Sequence, residues 1–355
     1  MPRCGSLLTP EDRKGAWKAP GEAVLKKFIN NPHNVTDELL EGYAEAFSNI
    51  VSLEDRRLIV NNGLSHADRV AIVGIGGTGH EPAPIGYVGD GMLDISVAGD
   101  IFAAPGADIT VKALHRAERG KGVILIVLNH KGDILTGRKA VEESGRLGIQ
   151  VREIITQEDV SCAPRARAAE RRGLAGCVPL YKIAGAAAAE DRSLDEVASI
   201  AQRFADQMAS IAVGIKGATH PVTGACLAEF AEDEMEIGVG QHGEEGGGRI
   251  KMKSADETAT IMLEALLRDL GIKSGERILL MLDGMGSTTL MELFIVYRRC
   301  AAILRERNIE VVADTVGNML TVQEAAGFQM FIARMDDELL GLWNAPCNAP
   351  YFKRR

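Results

Sequence analysis

Two short apolar runs, each stopping abruptly at a polar or glycine loop, constrain this chain most. Val70–Gly74 (VAIVG) runs into GIGGTGHEPAP, and Gly122–Asn129 (GVILIVLN) runs into HKGD. Continuous apolar runs of this length, bounded by turn residues, suit strands covered on both faces, as in a parallel sheet. Gln150–Thr156 (QVREIIT) reads similarly. Between them, Asp37–Val51 places Leu39, Leu40, Tyr43, Phe47 and Ile50 on one helical face. Ser193–Ala209 is a second amphipathic stretch; it follows the small-residue run Ala186–Ala189 and is expected to join two domains. The alternation then returns. Arg277–Leu282 (RILLML) is a predicted strand and DGMGSTT a loop. Leu290, Leu293, Phe294, Tyr297, Cys300, Ala301 and Leu304 mark the face of a helix that Thr289 and Glu292 would open with a capping box. Ile309–Ala313 and Phe328–Arg334 suggest further strands. Strands alternating with helices predict an α/β fold.

A chain of 355 residues suggests two domains or one large α/β domain. Its net charge of −9 argues against a nucleic-acid or anionic-membrane binder. The one locally basic run, Arg165–Arg172, reads as a solvated helix face. Cysteines 4, 162, 177, 226, 300 and 347 form no C-x-x-C pair, which predicts reduced thiols and a cytoplasmic setting. Residues 1–22 hold no apolar segment of a secretory signal and read as a polar extension. No apolar run approaches a membrane span.

Gly74, Gly76 and Gly79 formally satisfy G-x-G-x-x-G after a strand, the dinucleotide fingerprint of a nicotinamide enzyme. That fingerprint must open into a helix, and Pro82 and Pro84 on either side of Ala83 oppose one. Asp94 and Asp100 downstream lie in a Gly/Ala-rich stretch that does not read as a second strand. No G-x-x-x-x-G-K-[ST] motif is present, so no cofactor-binding residues are assigned to this chain. The glycine loops instead carry His80, Asp133 and, within IGVGQHGEEGGGR, His242. Each follows a strand, at the edge where α/β proteins bind ligands. Three readings compete. Metal ligation lacks a close ligand pair, and no metal site is assigned. Histidines that merely cap turns are the bland account. A neutral imidazole serving as nucleophile or base is the third, favoured because both histidines sit among glycines.

With these residues the sequence resembles the substrate-binding K subunit of dihydroxyacetone kinase, from about Lys26 to Phe352. FINNPHNVTDELLEGYAEAF, GGTGHEPAPIGYVGDGML, AGDIFAAP, EMEIGVGQHGE and LWNAP carry the resemblance. It implies two α/β domains, each with a mostly parallel or mixed sheet flanked by helices. Their bounds would be 23–205 and 206–355, with the C-terminal tail returning to the first domain, usually in a homodimer. It implies that His242 binds the substrate ketone covalently as a hemiaminal while its glycines clear room for the ketose. His80 would assist at the same carbonyl, and Asp133 would be the general base on the hydroxyl that receives phosphate. Gly77, Thr78 and Leu128 would complete the substrate-binding positions. ADP or ATP with magnesium would reside on a separate L-type partner subunit.

The ligand loops depart from the family pattern. LNHKGDILTG stands where members read close to KNYTGD-x-LNF. Leu128 thus replaces a substrate-contacting lysine, His130 and Lys131 replace tyrosine and threonine, and Thr136–Gly137 replaces Asn-Phe. Glu245 stands in place of proline, TVQEAAGF in place of TSLDMAGF, and Asn344 in place of aspartate. Losing a cation and an aromatic from a small polar site is not neutral. An enlarged, less aromatic pocket, and with it a four- or five-carbon ketose such as erythrulose or a branched tetrulose, is the expectation. A ketose-sensing coactivator without kinase activity is the alternative from another class.

Overall fold

The structure is a computed structural model that describes residues 26–355. The proposed extension 1–22 and Cys4 lie outside the described residues. Helix α1 (Val35–Ala46) leads into a hairpin of β1 (Val51–Glu54) and β2 (Leu58–Asn61). Strand β3 (Ala71–Thr78) follows, then β4 (Ile95–Ile101), α2 (Ala107–Ala117), β5 (Val123–Leu128), α3 (Lys131–Arg146) and β6 (Val151–Thr156). These strands form one sheet in the order β1-β2-β4-β3-β5-β6. Its β4-β3-β5-β6 portion is parallel, as the apolar runs require.

Two buried or amphipathic helices, α4 (Cys177–Ala189) and α5 (Leu194–Asp206), connect this sheet to the next. The second sheet contains β7 (Met208–Lys216), β8 (Glu234–Ile237), β9 (Arg249–Lys251), β10 (Arg277–Gly284), β11 (Glu310–Gly317) and β12 (Ala326–Arg334). Helices α6 (Ala255–Leu270) and α7 (Leu290–Glu306) cover it. The order is β11-β10-β12-β7-β8-β9. This sheet is mixed and mainly antiparallel: β10 and β11 alone are parallel, joined by the α7 crossover. Helix α8 (Asp337–Asn344) and a small hairpin, β13 (Cys347–Ala349) with β14 (Phe352–Arg354), end the chain. The hairpin docks on the first sheet's loops, where Asn348 N donates to Asp90 O at 2.8 Å.

One apolar cluster runs through both sheets. It joins Ile72, Ile124 and Ile126 to α4 and α5, and these to Leu279, Met281 and Phe331. Helix α4 is therefore buried along its length, which explains the run Ala186–Ala189: small side chains let the backbone lie close between layers.

Several expectations need correction. Ile95–Ile101 is a strand after all, parallel to β3. Its small residues reflect close approach of other backbones, and Asp100 alone in the strand is exposed. The dinucleotide fingerprint still fails, because β3 is followed by turns through Pro82 and Pro84 and a short 3-10 turn at Ile85–Tyr87. The α7 face is rotated from the predicted one: Leu293, Val296, Cys300, Ile303 and Leu304 are buried, whereas Leu290 and Phe294 are exposed. The capping box of Thr289 and Glu292 is present. Arg165–Arg172 is not a solvated face. Arg171 is 1% exposed and pairs with Asp269, as does Arg165, while Arg172 pairs with Asp159. Charge spacing alone could not reveal Asp269, 98–104 residues away, as the partner of Arg165 and Arg171. No helix among the described residues is long and apolar enough to cross a membrane.

Gly185 tests the α4 packing. A Cβ there would lie 2.5 Å from Met92 Cα and 2.6 Å from Gly91 O, both backbone atoms. Alanine would gain about 1 kcal/mol in helix propensity, but overpacking against backbone costs roughly 1–3 kcal/mol. Gly185→Ala should therefore lower stability in a urea titration. An unchanged or higher midpoint would show that α4 has room to move.

Candidate functional site

The candidate side chains gather where the strand order changes direction. From β3 the chain moves to β4 on one side and then to β5 on the other, and the loops leaving all three strands meet at their carboxyl ends. Such a switch point is the usual ligand crevice of an α/β sheet. His80 comes from the loop after β3, Phe102 from the end of β4, and His130 and Asp133 from the start of α3 after β5. His242 arrives from the other sheet, in the loop between β8 and β9. A pocket with free space of about 40 Å³ is walled by these residues together with Gly77, Leu128, Tyr181, Gln241 and others.

Hydrogen bonds set the protonation pattern. His80 Nδ1 lies 2.8 Å from the carbonyl oxygen of Thr321, which only accepts, so Nδ1 carries the proton. Burial, then the neighbouring His242, pushes the His80 imidazole down to about 3, so it is neutral and its Nε2 bears a lone pair. That lone pair faces His242 Nε2 at 3.1 Å. On the far side of the ring, His242 Nδ1 lies 3.2 Å from Glu244 Oε1. Burial works to raise the Glu244 carboxyl, but the hydrogen bond from His242 overrides it and holds the group well below the usual carboxylate range. An ionised carboxylate only accepts. Making both contacts at once requires a proton on each ring nitrogen of His242, with Nε2–H donating to His80 and Nδ1–H donating to Glu244.

The His242 loop is held from outside the pocket. Arg172 donates to Gly238 O at 2.7 Å and Glu244 O at 3.2 Å, while its Nε donates to Asp159 Oδ2 at 2.9 Å. The glycines serve this tight course more than ligand access. Gly243 has φ +81°, and a Cβ there would lie 2.2 Å from Leu227 O.

Two buried polar atoms in the pocket wall lack partners: Asp133 Oδ1 and Gln241 Nε2. Asp133 sits in the first turn of α3 and is 9% exposed. Burial pushes its carboxyl up to about 7, against the opposing pull of His242. An unmet buried group costs roughly 1–3 kcal/mol, so both atoms favour a polar ligand.

Of the positions carried over from the resemblance, His80, Asp133, His242, Gly77 and Leu128 line this pocket. Thr78 does not; its hydroxyl donates to Gly99 O at 3.2 Å and meets Thr36 Oγ1 at 3.2 Å. Lys131 is exposed and stands outside the pocket wall, so it does not replace the cation missing at Leu128. Rings crowd the site: Phe102, His80, His130 and His242 pack with contacting ring centroids 5.2–5.5 Å apart. His130, Gln241 and Glu244 are site residues that the sequence did not single out as candidates. Their nearness to Asp133 and His242 in sequence was the available signal.

A family model, the Dak1 domain, matches residues 41–351. The chain belongs to the Dak1 family. It is 33% identical to the dihydroxyacetone-binding subunit DhaK of PTS-dependent dihydroxyacetone kinase 2 of Listeria innocua, over 93% of this chain and 99% of that one. It is 34% identical to L-erythrulose kinase of Pectobacterium atrosepticum, over 92% of this chain, which spans 56% of that longer protein. A solved dihydroxyacetone kinase operon co-activator, DhaQ, superposes with a TM-score of 0.84 at 30% identity, over 90% of this chain and 98% of its own. The Dak1 match bears out the predicted family, and the two six-stranded sheets bear out the predicted mixed α/β class.

The buried Asp133 carboxyl makes a stability prediction. Its folded value of about 7 exceeds the ordinary 3.8. The folded state therefore holds a proton that the unfolded chain gives up. That stabilisation is complete below pH 4 and is lost as pH rises through 7. Asp133→Asn mimics the protonated form, so its stability relative to wild type should climb between pH 4 and 7 and level off above, by on the order of 2–4 kcal/mol. Thermal unfolding at pH 4.5 and 8 measures this. Equal differences at both pH values would mean that Asp133 is ordinarily ionised.

Proposed function

We propose that this chain is the ketose-binding subunit of a dihydroxyacetone-type kinase. It holds a short-chain ketose as a hemiaminal on His242 and presents the terminal hydroxyl to a separate, nucleotide-carrying L-type subunit. The observation that carries this reading is the 3.1 Å contact of His80 Nε2 with His242 Nε2, inside a pocket that also holds unpaired Asp133 Oδ1 and Gln241 Nε2.

The proton pattern supplies the chemistry. His242 Nε2 passes its proton to His80 Nε2 and, with its lone pair free, attacks the ketone carbon. The carbonyl π pair moves to oxygen, which takes the proton back from His80. The product is an alcohol on tetrahedral carbon, bonded to an imidazolium whose Nδ1–H stays against Glu244. Charge is conserved, since the positive imidazole and negative carboxylate present at the start are present at the end. A polyol without a carbonyl has nothing for Nε2 to attack, which separates ketoses from glycerol.

Asp133, with its carboxyl near 7, suits a general base that accepts the proton of the hydroxyl as phosphoryl transfer proceeds. ADP or ATP with magnesium would be carried by the partner subunit. Two further observations bear on the ligand and the outcome. The likeness to an L-erythrulose kinase supports a four-carbon ketose as an alternative substrate. The likeness to an operon co-activator supports a ketose sensor as the second reading.

Carbon NMR with carbonyl-labelled dihydroxyacetone and erythrulose tests the anchor. Wild type should move the carbonyl signal to tetrahedral-carbon values, and His242→Ala should not. His80→Ala should slow the appearance of the adduct by about 10²–10⁴-fold, the usual worth of a positioned acid or base. No tetrahedral signal with either ketose ends the reading. Asp133→Asn should keep the adduct and lose phosphorylation when an L-type subunit and nucleotide are supplied. An adduct in wild type that no L-type subunit phosphorylates would favour the sensor.

A further inference from the structure

Among the described residues, one group of metal-ligating side chains lies close enough to share an ion: His130, His242 and Glu244, whose ligand atoms all lie within 4.8 Å of one another. Ligands of a tetrahedral zinc-type ion stand about 3.4 Å apart, given bond lengths of about 2.0–2.1 Å. The three side chains need draw in by at most about 1.4 Å, within the reach of small rotamer adjustments. Two imidazoles and one carboxylate, with room left at the ion, form a donor set for borderline divalent metals.

The surroundings of His130 support ligation. Its Nε2 lies 2.9 Å from the carbonyl oxygen of Gly173, which only accepts. The Nε2–H is therefore spent there, and Nδ1 keeps its lone pair. A ring proton donated to a backbone carbonyl is the usual outer support of a metal-bound histidine. His130 follows β5 directly, and its backbone N–H donates to Leu128 O at 2.7 Å, so the ring is mounted on the sheet edge. Arg172 holds the Glu244 backbone on the opposite side.

An unpaired atom in the pocket wall also leaves room for a ligand. Asp133, with 9% exposure, lines the same pocket, and its Oδ1 has no partner. A cation, or a water bound to one, would satisfy that carboxylate.

We propose that His130, His242 and Glu244 bind a zinc-class divalent ion in the ketose-free protein, and that the ion and the ketose exclude one another at His242. Ligation requires His242 to release a ring proton and Glu244 to leave that ring for the ion. The hemiaminal requires the Nε2 lone pair of the same ring and keeps the other nitrogen protonated against Glu244. The two states make incompatible demands on one side chain.

The exclusion clause rests on the proposed ketose chemistry; the metal site does not. Metal binding is therefore measured first, without ketose, on the full chain stripped with chelator. Calorimetry with Zn²⁺ and absorption spectra with Co²⁺ should show one ion per chain, with cobalt bands of low coordination number. His130→Tyr keeps an aromatic ring of suitable size without a ring nitrogen. It should weaken binding by at least about tenfold, since even outer-support losses cost 10–100-fold, as should Glu244→Gln. Circular dichroism and the urea midpoint check that both variants are folded. Unchanged one-to-one binding in a folded His130→Tyr protein would place the ion on other histidines and overturn the proposal, as would no binding by wild type at stoichiometric Zn²⁺. Dihydroxyacetone is then titrated into the metal-loaded protein. Release of the ion supports exclusion. If the metal-free protein forms the adduct but the loaded protein binds ketose without releasing metal, exclusion fails. If ketose never binds while the metal does, the ketose reading fails and the metal site stands.

Discussion

Two imidazole nitrogens 3.1 Å apart, His80 Nε2 and His242 Nε2, are supplied by different sheets and separated by 162 residues of chain. Everything proposed for the pocket depends on that contact, and it survives only if the sheets keep their spacing. The spacing is set by α4 and α5, buried in an apolar cluster shared by both sheets. It is reinforced at the site itself. Thr321 N donates to His80 O at 3.1 Å, and Thr321 O receives the ring Nδ1–H, so a segment of the second sheet's loops orients a histidine of the first.

The pocket is arranged at some cost to stability. Asp133 and Gln241 bring polar atoms into the wall without partners, and His80 is kept neutral by burial. These groups would be better satisfied in water, and the surrounding packing must hold them there. Unpaired polar atoms beside a coupled histidine pair are what a site for a small polyhydroxylated carbonyl compound needs. In the proposed reading, hydroxyls complete the hydrogen bonds and the carbonyl accepts the His242 nucleophile. The same nitrogen and oxygen donors, with the His130 imidazole added, are those of the proposed metal site.

Much of the architecture was legible because it follows from local patterns. Continuous apolar runs became β3, β5 and β6, and the paired prolines after β3 excluded the helix of a dinucleotide site. Capping chemistry placed the start of α7. Long-range packing decided what local patterns could not. Ile95–Ile101 is a strand despite its composition because it lies between other strands, and the α7 face is set by what β10 and α6 present to it. The arginines at 165–172 resemble a solvated face in sequence, yet Asp269 and Asp159 capture three of them.

The sequence by itself determined the family, the mixed α/β class and three of the side chains at the centre of the pocket: His80, Asp133 and His242. Each ends a strand in a loop of its own, and strand ends are recorded in local composition. Tertiary structure alone decided that His130 and Glu244 join them, that Thr78 turns away, and that Lys131 leaves the pocket without the cation lost at Leu128. It also decided protonation, because which nitrogen carries a proton depends on the acceptor it meets. For His80 and His130 those acceptors are backbone carbonyls of Thr321 and Gly173. A backbone carbonyl is the same in every residue, so no reading of side chains could have found it.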